Sequence, residues 1–203
     1  MPKNPIIVFE GIEGSGKSYH LENVAKYLKK KKRNFIKIRE PGGNKNSEKI
    51  RKLILDNKST FNNKTDLLLY MAARSENIKI IKKHLGKKII LIDRFTDSTV
   101  AYQHFGMGVN KKIIYLINKF LLEGIKINYT FLNLVNSKNM RERLIKRKKL
   151  NRYDQFSSLF YMKVQKGFLK IFKQSPKKYK LIDSNRNIKE NKKIILKEID
   201  NLI

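Results

Sequence analysis

Short apolar runs alternate along the chain with longer segments in which apolar residues recur every three or four positions. The runs predict five β-strands, at residues 6–9, 35–38, 89–92, 129–135 and 179–182. The longer segments predict helices that bury one face, as in Leu21, Val24, Ala25 and Leu28. Because strands and helices alternate in this way in α/β proteins, we predict a three-layer sandwich, with a five-stranded parallel sheet between helices.

The chain has 203 residues without a repeat or a glycine-serine linker, which indicates a single domain, residues 1–203. Basic residues dominate residues 138–152, a segment that fits an exposed helical flap and equally a solvated helix face. An apolar helix at residues 113–122 fits either the core or a partner subunit. The lack of cysteine excludes disulfides, thiol catalysis and zinc ribbons, and the three histidines match no metal-ligand spacing.

Charge adds one ambiguity to this picture. Lysine and arginine outnumber acidic residues by 47 to 17, a formal net charge of +30, which fits a polyanionic partner. Lysine, asparagine and isoleucine also accumulate together in proteins of A/T-rich genomes. We favour this second explanation, because the basic residues are scattered over helix faces, and we expect no nucleic-acid partner. No apolar run reaches the ~18 residues that span a membrane, and no signal peptide is recognisable, so we expect a soluble cytoplasmic protein.

Residues 11–18 match the phosphate-binding pattern G-x-x-x-x-G-K-[ST], directly after a predicted strand and before a predicted helix. The glycines let backbone N–H groups turn towards an anion, Lys17 reaches the β/γ-phosphates, and the Ser18 hydroxyl can bind Mg²⁺. We therefore predict a P-loop NTPase fold, and we expect Lys17 to be a solvent-facing catalytic charge. The predicted ATP-binding residues are Gly11, Ile12, Glu13, Gly14, Ser15, Gly16, Lys17 and Ser18.

Further polar residues indicate a second phosphate-bearing substrate. The third predicted strand runs into Asp93 and Arg94, of which the first can join the magnesium shell and the second can hold a phosphate. Arg39 begins an Arg-Glu-Pro-Gly-Gly stretch at the sheet edge where α/β proteins bind ligands. Tyr70 and Arg74, four residues apart on a predicted helix, share a face that fits a nucleotide, although simple packing beside a solvated charge explains them too.

These motifs occur in the order and spacing found in thymidylate kinases, which the chain resembles over nearly its whole length. The matching stretches are residues 11–18, 39–43, 70–74, 93–95 and 98–103. The resemblance implies a transferase of nucleotide biosynthesis that uses ATP and Mg²⁺ to phosphorylate dTMP to dTDP, on the route to dTTP. It also implies a homodimer.

The resemblance assigns roles by matching position. It implies that Glu13 lies near the deoxyribose 3′-hydroxyl, that Tyr70 stacks on the base, and that the guanidinium groups of Arg39 and Arg94 hold the acceptor phosphate. Four more residues fall where the family contacts the thymine and the sugar edge: Arg74, Thr99, Tyr102 and Gln103.

Residues 138–153 are similar to the family's lid. The phosphate loop lacks arginine, which resembles the bacterial type whose catalytic arginine lies in the lid. The implied catalytic residues are Lys17, Arg94, Arg143 and Arg147, with the choice between the two lid arginines left open. Two positions depart from the family pattern: Met107 stands where an arginine is frequent, and Asn133 where an aspartate is common.

Two other functions remain open at this level. A kinase for a deoxynucleoside or for another monophosphate would need a base near a 5′-hydroxyl, for which Glu40 is available. A nucleic-acid-binding ATPase is supported only by the net charge. The two arginines predicted beside the acceptor argue against the first alternative.

Overall fold

The computed structural model describes residues 2–203, in which five strands alternate with helices. The strands are β1 (Ile6–Glu10), β2 (Phe35–Arg39), β3 (Ile89–Asp93), β4 (Tyr129–Leu134) and β5 (Tyr179–Asp183). The α-helices are α1 (Lys17–Lys30), α2 (Lys45–Leu55), α3 (Asn63–His84), α4 (Thr96–Thr99), α5 (Lys111–Leu122), α6 (Ser137–Ile145), α7 (Ser158–Gln174) and α8 (Ile188–Leu202). A π-helix, Val100–Gly106, follows α4. Two 3₁₀-helices occur at Arg152–Gln155 and Pro176–Lys178.

The five strands form one parallel sheet in the order β2-β3-β1-β4-β5, which confirms the predicted α/β sandwich. Four strands extend one residue beyond the predicted run, to a charged residue such as Glu10 or Asp93, because the hydrogen-bonded ladder continues past the apolar residues. The fourth strand instead ends at Leu134, one residue earlier than predicted. Every strand except β4 therefore delivers a polar side chain to the same edge of the sheet.

Alternation along β1 explains how the sheet is covered. Ile7 and Phe9 pack with the buried faces of α1 and α8 on one side of the sheet, while Ile6 and Val8 pack with α3 on the other. Since successive side chains of a strand point to opposite faces, a strand that is apolar throughout must be covered on both. All five residues of β1 are buried, as this arrangement requires.

The site lies where the chain changes direction across the sheet. Strand β1 sits between β3 and β4, so the connections that leave β1 and β3 at their carboxyl ends diverge and open a crevice. Residues 11–16 occupy this position after β1, and residues 94–95 occupy it after β3. Of the helices within residues 2–203, none is both long enough and apolar enough to cross a membrane.

The basic segment is only partly helical. Helix α6 ends at Ile145, residues 146–151 are irregular, and the chain turns into the 3₁₀-helix at Arg152. The π-helix has no counterpart among the predicted elements. Its signature is the hydrogen bond from the Met107 N–H to the Tyr102 carbonyl, five residues earlier (2.9 Å).

Candidate active site

The loop between β1 and α1 has the backbone of a phosphate-binding loop. Gly11 has a φ of 137°, and a Cβ at this position would lie 2.2 Å from the Asn133 carbonyl oxygen, so only glycine fits. Gly16 has a φ of 84° and precedes α1, whose first N–H groups point into the loop. The loop is held from outside, because the Ser184 hydroxyl donates to the Ser15 carbonyl (2.7 Å). An anion at the start of α1 would therefore meet preformed donors.

Lys17 does not face solvent, and that expectation is wrong. Its side chain is 6% exposed, and its Nζ donates to the Ile12 carbonyl (2.8 Å) and lies 3.3 Å from the Ser15 hydroxyl. Burial, reinforced by repulsion from Arg94, lowers the pKa of Lys17 to about 7. The loop itself thus supplies the hydrogen bonds of the ammonium group in this conformation.

Ser18 and Asp93 meet at the base of the crevice. The Ser18 hydroxyl donates to the Asp93 carboxylate (2.6 Å), although 75 residues separate the two positions. A hydroxyl and a carboxylate are hard oxygen ligands of the kind that Mg²⁺ takes together with substrate phosphates and water. In the described part of the chain, no three His, Cys, Asp or Glu side chains cluster around a potential metal position. The pair fits a magnesium ion that shares its coordination with a nucleotide.

The turn after β3 is fixed by a buried carboxylate, that of Glu10, which no pattern in the sequence singled out. Arg94 adopts a φ of 66°, and its N–H donates to the Phe9 carbonyl (3.0 Å). Glu10 accepts hydrogen bonds from the N–H groups of Phe95 (2.8 Å) and Ser98 (3.2 Å) and from the Ser98 hydroxyl. Burial and the nearby Asp97 carboxylate raise the pKa of Glu10 to about 7. The carboxyl group therefore holds the turn that presents Arg94.

Arg94, Glu13 and Tyr102 form one connected group. The Arg94 guanidinium bonds the Glu13 carboxylate (2.7 Å) and the Gly11 carbonyl (2.8 Å), and the Tyr102 hydroxyl also donates to Glu13. Burial opposes ionisation of Glu13, but Arg94 and then Lys17 hold its pKa below the usual value. The group is charged and polar, and it lies beside the phosphate loop.

These side chains line a cavity of about 200 Å³. Ten of the residues selected from the sequence lie in its wall: Glu13, Lys17, Ser18, Arg39, Tyr70, Asp93, Arg94, Tyr102, Gln103 and Arg147. Seven further residues line the wall: Glu40, Pro41, Arg51, Leu55, Ser98, Asn151 and Tyr153. Five of them lie in stretches singled out from the sequence, at residues 39–43, 98–103 and 138–153, and only Arg51 and Leu55 were missed. Arg51 and Leu55 stand four residues apart on α2, and this spacing was an available signal that one helix face points to the site.

Arg74 and Thr99 lie behind the cavity wall rather than in it. Arg74 is 1% exposed, and its guanidinium donates to Glu40 (2.8 Å), Asn118 (2.6 Å) and Thr99 (2.9 Å). The network joins the end of β2 to α4 and α5. A contact of Arg74 or Thr99 with a base stays a prediction.

The π-helix explains how Tyr102 and Gln103 reach the same cavity. The two residues are consecutive, and both line the wall. A π-helix turns less per residue than an α-helix, so neighbouring side chains diverge less. Two glycines let the π-helix lie close to α7: Gly106, which ends the π-helix, and Gly167 of α7. A Cβ at Gly106 would lie 2.7 Å from Phe160, and one at Gly167 would lie 2.5 Å from Phe105.

The cavity concentrates positive charge at one end. Arg39 pairs with Glu48 (2.7 Å), Arg51 donates to the Pro41 carbonyl (2.7 Å), and both lie in the wall with Arg94. Burial, followed by the proximity of Arg39, lowers the pKa of Arg51. A dianionic ligand would relieve this repulsion between guanidinium groups. The arrangement can hold a phosphate-bearing ligand next to the phosphate-binding loop.

The two lid arginines occupy different places. The Arg143 guanidinium spans the Gly14 carbonyl (2.8 Å) and the Ser184 carbonyl (2.7 Å), outside the cavity wall. Arg147 lies in the wall and pairs with Asp154 (2.6 Å). Arg143 therefore contacts the phosphate loop, whereas Arg147 lines the cavity together with Arg39 and Arg51.

Comparison with known proteins agrees with this geometry. The thymidylate kinase family model matches residues 9–195. The chain is 34% identical over 194 residues to a thymidylate kinase of Kosmotoga olearia, covering 95% of this chain and 93% of the relative. It is 37% identical over 184 residues to a thymidylate kinase of Thermosipho africanus, covering 90% of each. A crystal structure of thymidylate kinase from Ehrlichia chaffeensis matches with a TM-score of 0.77 at 30% identity, covering 98% of this chain and 99% of that chain.

These similarities extend over nearly the whole chain and include the P-loop fold as well as the sequence motifs. They confirm the resemblance. ATP and dTMP are accordingly the two substrates. The chain therefore belongs to the thymidylate kinase family, and it is an enzyme that phosphorylates dTMP to dTDP.

Proposed function

We propose that the 200 Å³ cavity binds dTMP and that residues 11–18 bind ATP, with the two phosphate chains meeting between them. The observation that carries the proposal is the shared wall: Lys17 of the phosphate loop and Tyr70, the stacking candidate, line one cavity with Arg94 between the loop and the acceptor side. Arg39 and Arg94 hold the 5′-phosphate of dTMP in this arrangement.

The transfer step needs alignment and charge neutralisation rather than a protein base. An oxygen of the dTMP phosphate attacks the γ-phosphorus of ATP, the bond to the β,γ-bridging oxygen breaks, and ADP leaves with that electron pair. The acceptor oxygen is already anionic, so no side chain has to remove a proton. Lys17, Arg94 and Arg147 neutralise the charge on the transferred group, and closure of the lid, residues 138–153 of a single kinase domain, excludes water.

We propose that Ser18 and Asp93 hold Mg²⁺ in the working enzyme. The 2.6 Å contact between the two side chains supports this role, because both can become ligands of one ion without rearrangement of the backbone. An ion held there would supply positive charge that offsets the negative charge of the triphosphate. Ser18 and Asp93 orient the triphosphate by fixing that position.

Sugar selection belongs to Glu13 and Tyr102. Their mutual hydrogen bond in the cavity wall supports this role, because a carboxylate can accept from a deoxyribose 3′-hydroxyl and the adjoining tyrosine ring can crowd a 2′-hydroxyl. The thymine methyl group adds a smaller preference, because an apolar contact with one methyl is worth only ~1–3 kcal/mol. We therefore expect kcat/KM to fall in the order dTMP, dUMP, UMP.

A coupled ADP-release assay over a panel of nucleoside monophosphates tests this proposal. Purine and cytosine monophosphates should give rates near background, and Tyr102→Ala should relax the preference for deoxyribose. Lys17→Ala serves as the catalytic control and should lower kcat by ~10³, or roughly 4 kcal/mol of transition-state stabilisation. A preference for UMP or CMP over dTMP would reject the proposed acceptor site.

We also propose that the enzyme is a cytoplasmic homodimer that binds no nucleic acid. Helix α5 supports the dimer, because Ile113, Leu116 and Phe120 form an exposed apolar stripe while Ile114 and Asn118 on its other face are buried. The basic residues that produce the net charge are distributed over several helices, including the ends of α1 and α3, rather than gathered with aromatic side chains.

A further inference from the structure

Asp66 is a buried carboxylate outside the catalytic groups described above. It lies in the first turn of α3 and is 1% exposed. One carboxylate oxygen pairs with the Arg152 guanidinium, and the other accepts from the Tyr153 hydroxyl (2.6 Å). A carboxylate at this depth requires partners to offset its desolvation. Here both partners come from one short segment, the 3₁₀-helix Arg152–Gln155 in which the lid ends.

The contact of Asp66 with Tyr153 reaches the acceptor cavity. Tyr153 lines the wall, and its hydroxyl oxygen accepts from the Gln103 side chain (3.2 Å). Its ring lies edge-on to Tyr70, with centroids 5.8 Å apart, and tilted against Tyr102 at 5.9 Å. The bond to Asp66 therefore fixes a ring that touches three residues of the proposed dTMP site.

The contact of Asp66 with Arg152 reaches the lid. The Arg152 guanidinium also donates to the Ile54 carbonyl at the end of α2 (3.0 Å). Asn151 and Asp154 close a capping box around the same turn, and Asp154 is the partner of Arg147. Arg152 thus anchors the turn that carries Asp154, the carboxylate that holds Arg147.

We propose that Asp66 is a positioning residue that couples the wall of the acceptor cavity to the anchor of the lid. The inference rests on the proposed acceptor site. Its physical basis is the bridging geometry of one buried carboxylate. One oxygen orients Tyr153, which lines the cavity, and the other orients Arg152, which anchors the end of the lid. Asparagine cannot replace it, since the amide nitrogen is a donor and both partners are donors as well.

The experiment compares Asp66→Asn with two variants, each of which removes one of the two partners of the Asp66 carboxylate. Tyr153→Phe should raise the KM for dTMP by ~3–10-fold, the effect of about one hydrogen bond, with kcat and the KM for ATP within about twofold of wild type. Arg152→Met should lower kcat by ~10-fold with a smaller change in the KM for dTMP. Asp66→Asn should reproduce at least one of these effects.

Matched controls separate positioning from folding. Asp56→Asn removes an exposed carboxylate at the end of α2, and Tyr129→Phe removes a hydroxyl that bonds Glu198 far from the cavity (2.8 Å). Both should leave the kinetic constants unchanged. All assays run well below the melting temperature of each variant.

Kinetic constants for Asp66→Asn within twofold of wild type, beside a lowered melting temperature, would overturn the inference and leave Asp66 a structural residue. If Asp66→Asn does not fold, unchanged constants for both Tyr153→Phe and Arg152→Met overturn it instead. The acceptor site is judged separately, because Tyr70→Ala should raise the KM for dTMP. An unchanged KM for dTMP in this variant alone rejects the site rather than the coupling.

Discussion

At the scale of single residues, Arg143 and Arg147 lie four positions apart and contact different parts of the molecule. Arg143 belongs to α6 and bonds two carbonyl groups, those of Gly14 and Ser184. Arg147 lies beyond the end of α6, in the cavity wall. The Arg143 guanidinium is engaged by carbonyl groups in holding the phosphate loop, whereas Arg147 lines the cavity that we propose as the acceptor site.

Arg147→Ala should therefore lower kcat by ~10²–10³ with little change in either Michaelis constant, because its contact with the transferred group forms only in the closed state. Arg143→Ala should mainly raise the KM for ATP, since it releases the Gly14 carbonyl. Arg147→Lys should rescue poorly, because an ammonium cannot bridge two phosphate oxygens. Steady-state kinetics with each substrate varied in turn provide the measurement. A large kcat loss only in Arg143→Ala would transfer the catalytic role to that residue.

Glu10 leads to a prediction about stability and pH. Its pKa is raised from 4.5 to about 7 by burial and by Asp97, so the folded protein binds a proton that the unfolded chain releases in this range. The contribution of Glu10 to the free energy of unfolding is therefore fully present below pH 4.5 and is lost as the pH rises through 7. Glu10→Gln, which mimics the protonated form, should lose on the order of 3 kcal/mol less between pH 4.5 and 8.

Urea unfolding at several pH values measures this difference. Glu22→Gln is the control, because it removes an exposed carboxylate that pairs with Lys37 on the surface. Parallel pH profiles for wild type and Glu10→Gln would show that Glu10 is ionised in the folded protein.

At the scale of elements, the contact between α7 and the π-helix decides where Tyr102 and Gln103 lie. Gly167 faces Phe105, and a Cβ there would come within 2.5 Å of Cδ2 and 2.8 Å of the Phe105 Cβ. Rotation of the ring does not relieve a clash with a Cβ, so the backbone of the π-helix would have to shift.

Gly167→Ala should destabilise the enzyme by roughly 1–2 kcal/mol, because overpacking outweighs the gain of up to ~1 kcal/mol from replacing a helical glycine. The KM for dTMP should rise ~3–10-fold as Tyr102 moves with the π-helix. Thermal unfolding and kinetics measure the two effects, with the exposed Lys166→Ala on the same helix as the control. A higher melting temperature for Gly167→Ala would contradict the tight contact.

At the scale of the whole molecule, the exposed stripe of α5 predicts the state of assembly. Leu116 is 69% exposed and Phe120 is 76% exposed, an unfavourable arrangement for apolar side chains in a monomer. Phe120→Asp should convert a dimer into a monomer in sedimentation at micromolar concentration, whereas Lys112→Asp on the same helix should not. A monomeric wild type would remove the proposed role of this stripe.

Local patterns predicted the strands, the phosphate loop and most of the cavity wall. They succeeded because the phosphate loop and β1 are consecutive in the chain and carry their own backbone requirements. They failed for Lys17 and did not anticipate the burial of Arg74, whose partners Asn118 and Thr99 come from elements 44 and 25 residues away. Burial depends on such distant partners, and no spacing within one helix reports it.

The bond from Ser184 to Ser15 has a consequence for synthesis of the chain. The two residues are 169 positions apart, and the carbonyl of the phosphate loop gains its outer support only from the segment after β5. At ~5–20 residues per second, a ribosome needs on the order of ten seconds or more to produce that segment after the loop itself. The nascent chain therefore carries an unfinished nucleotide site for most of its translation, and stabilisation by bound ATP arrives only once β5 has joined the sheet.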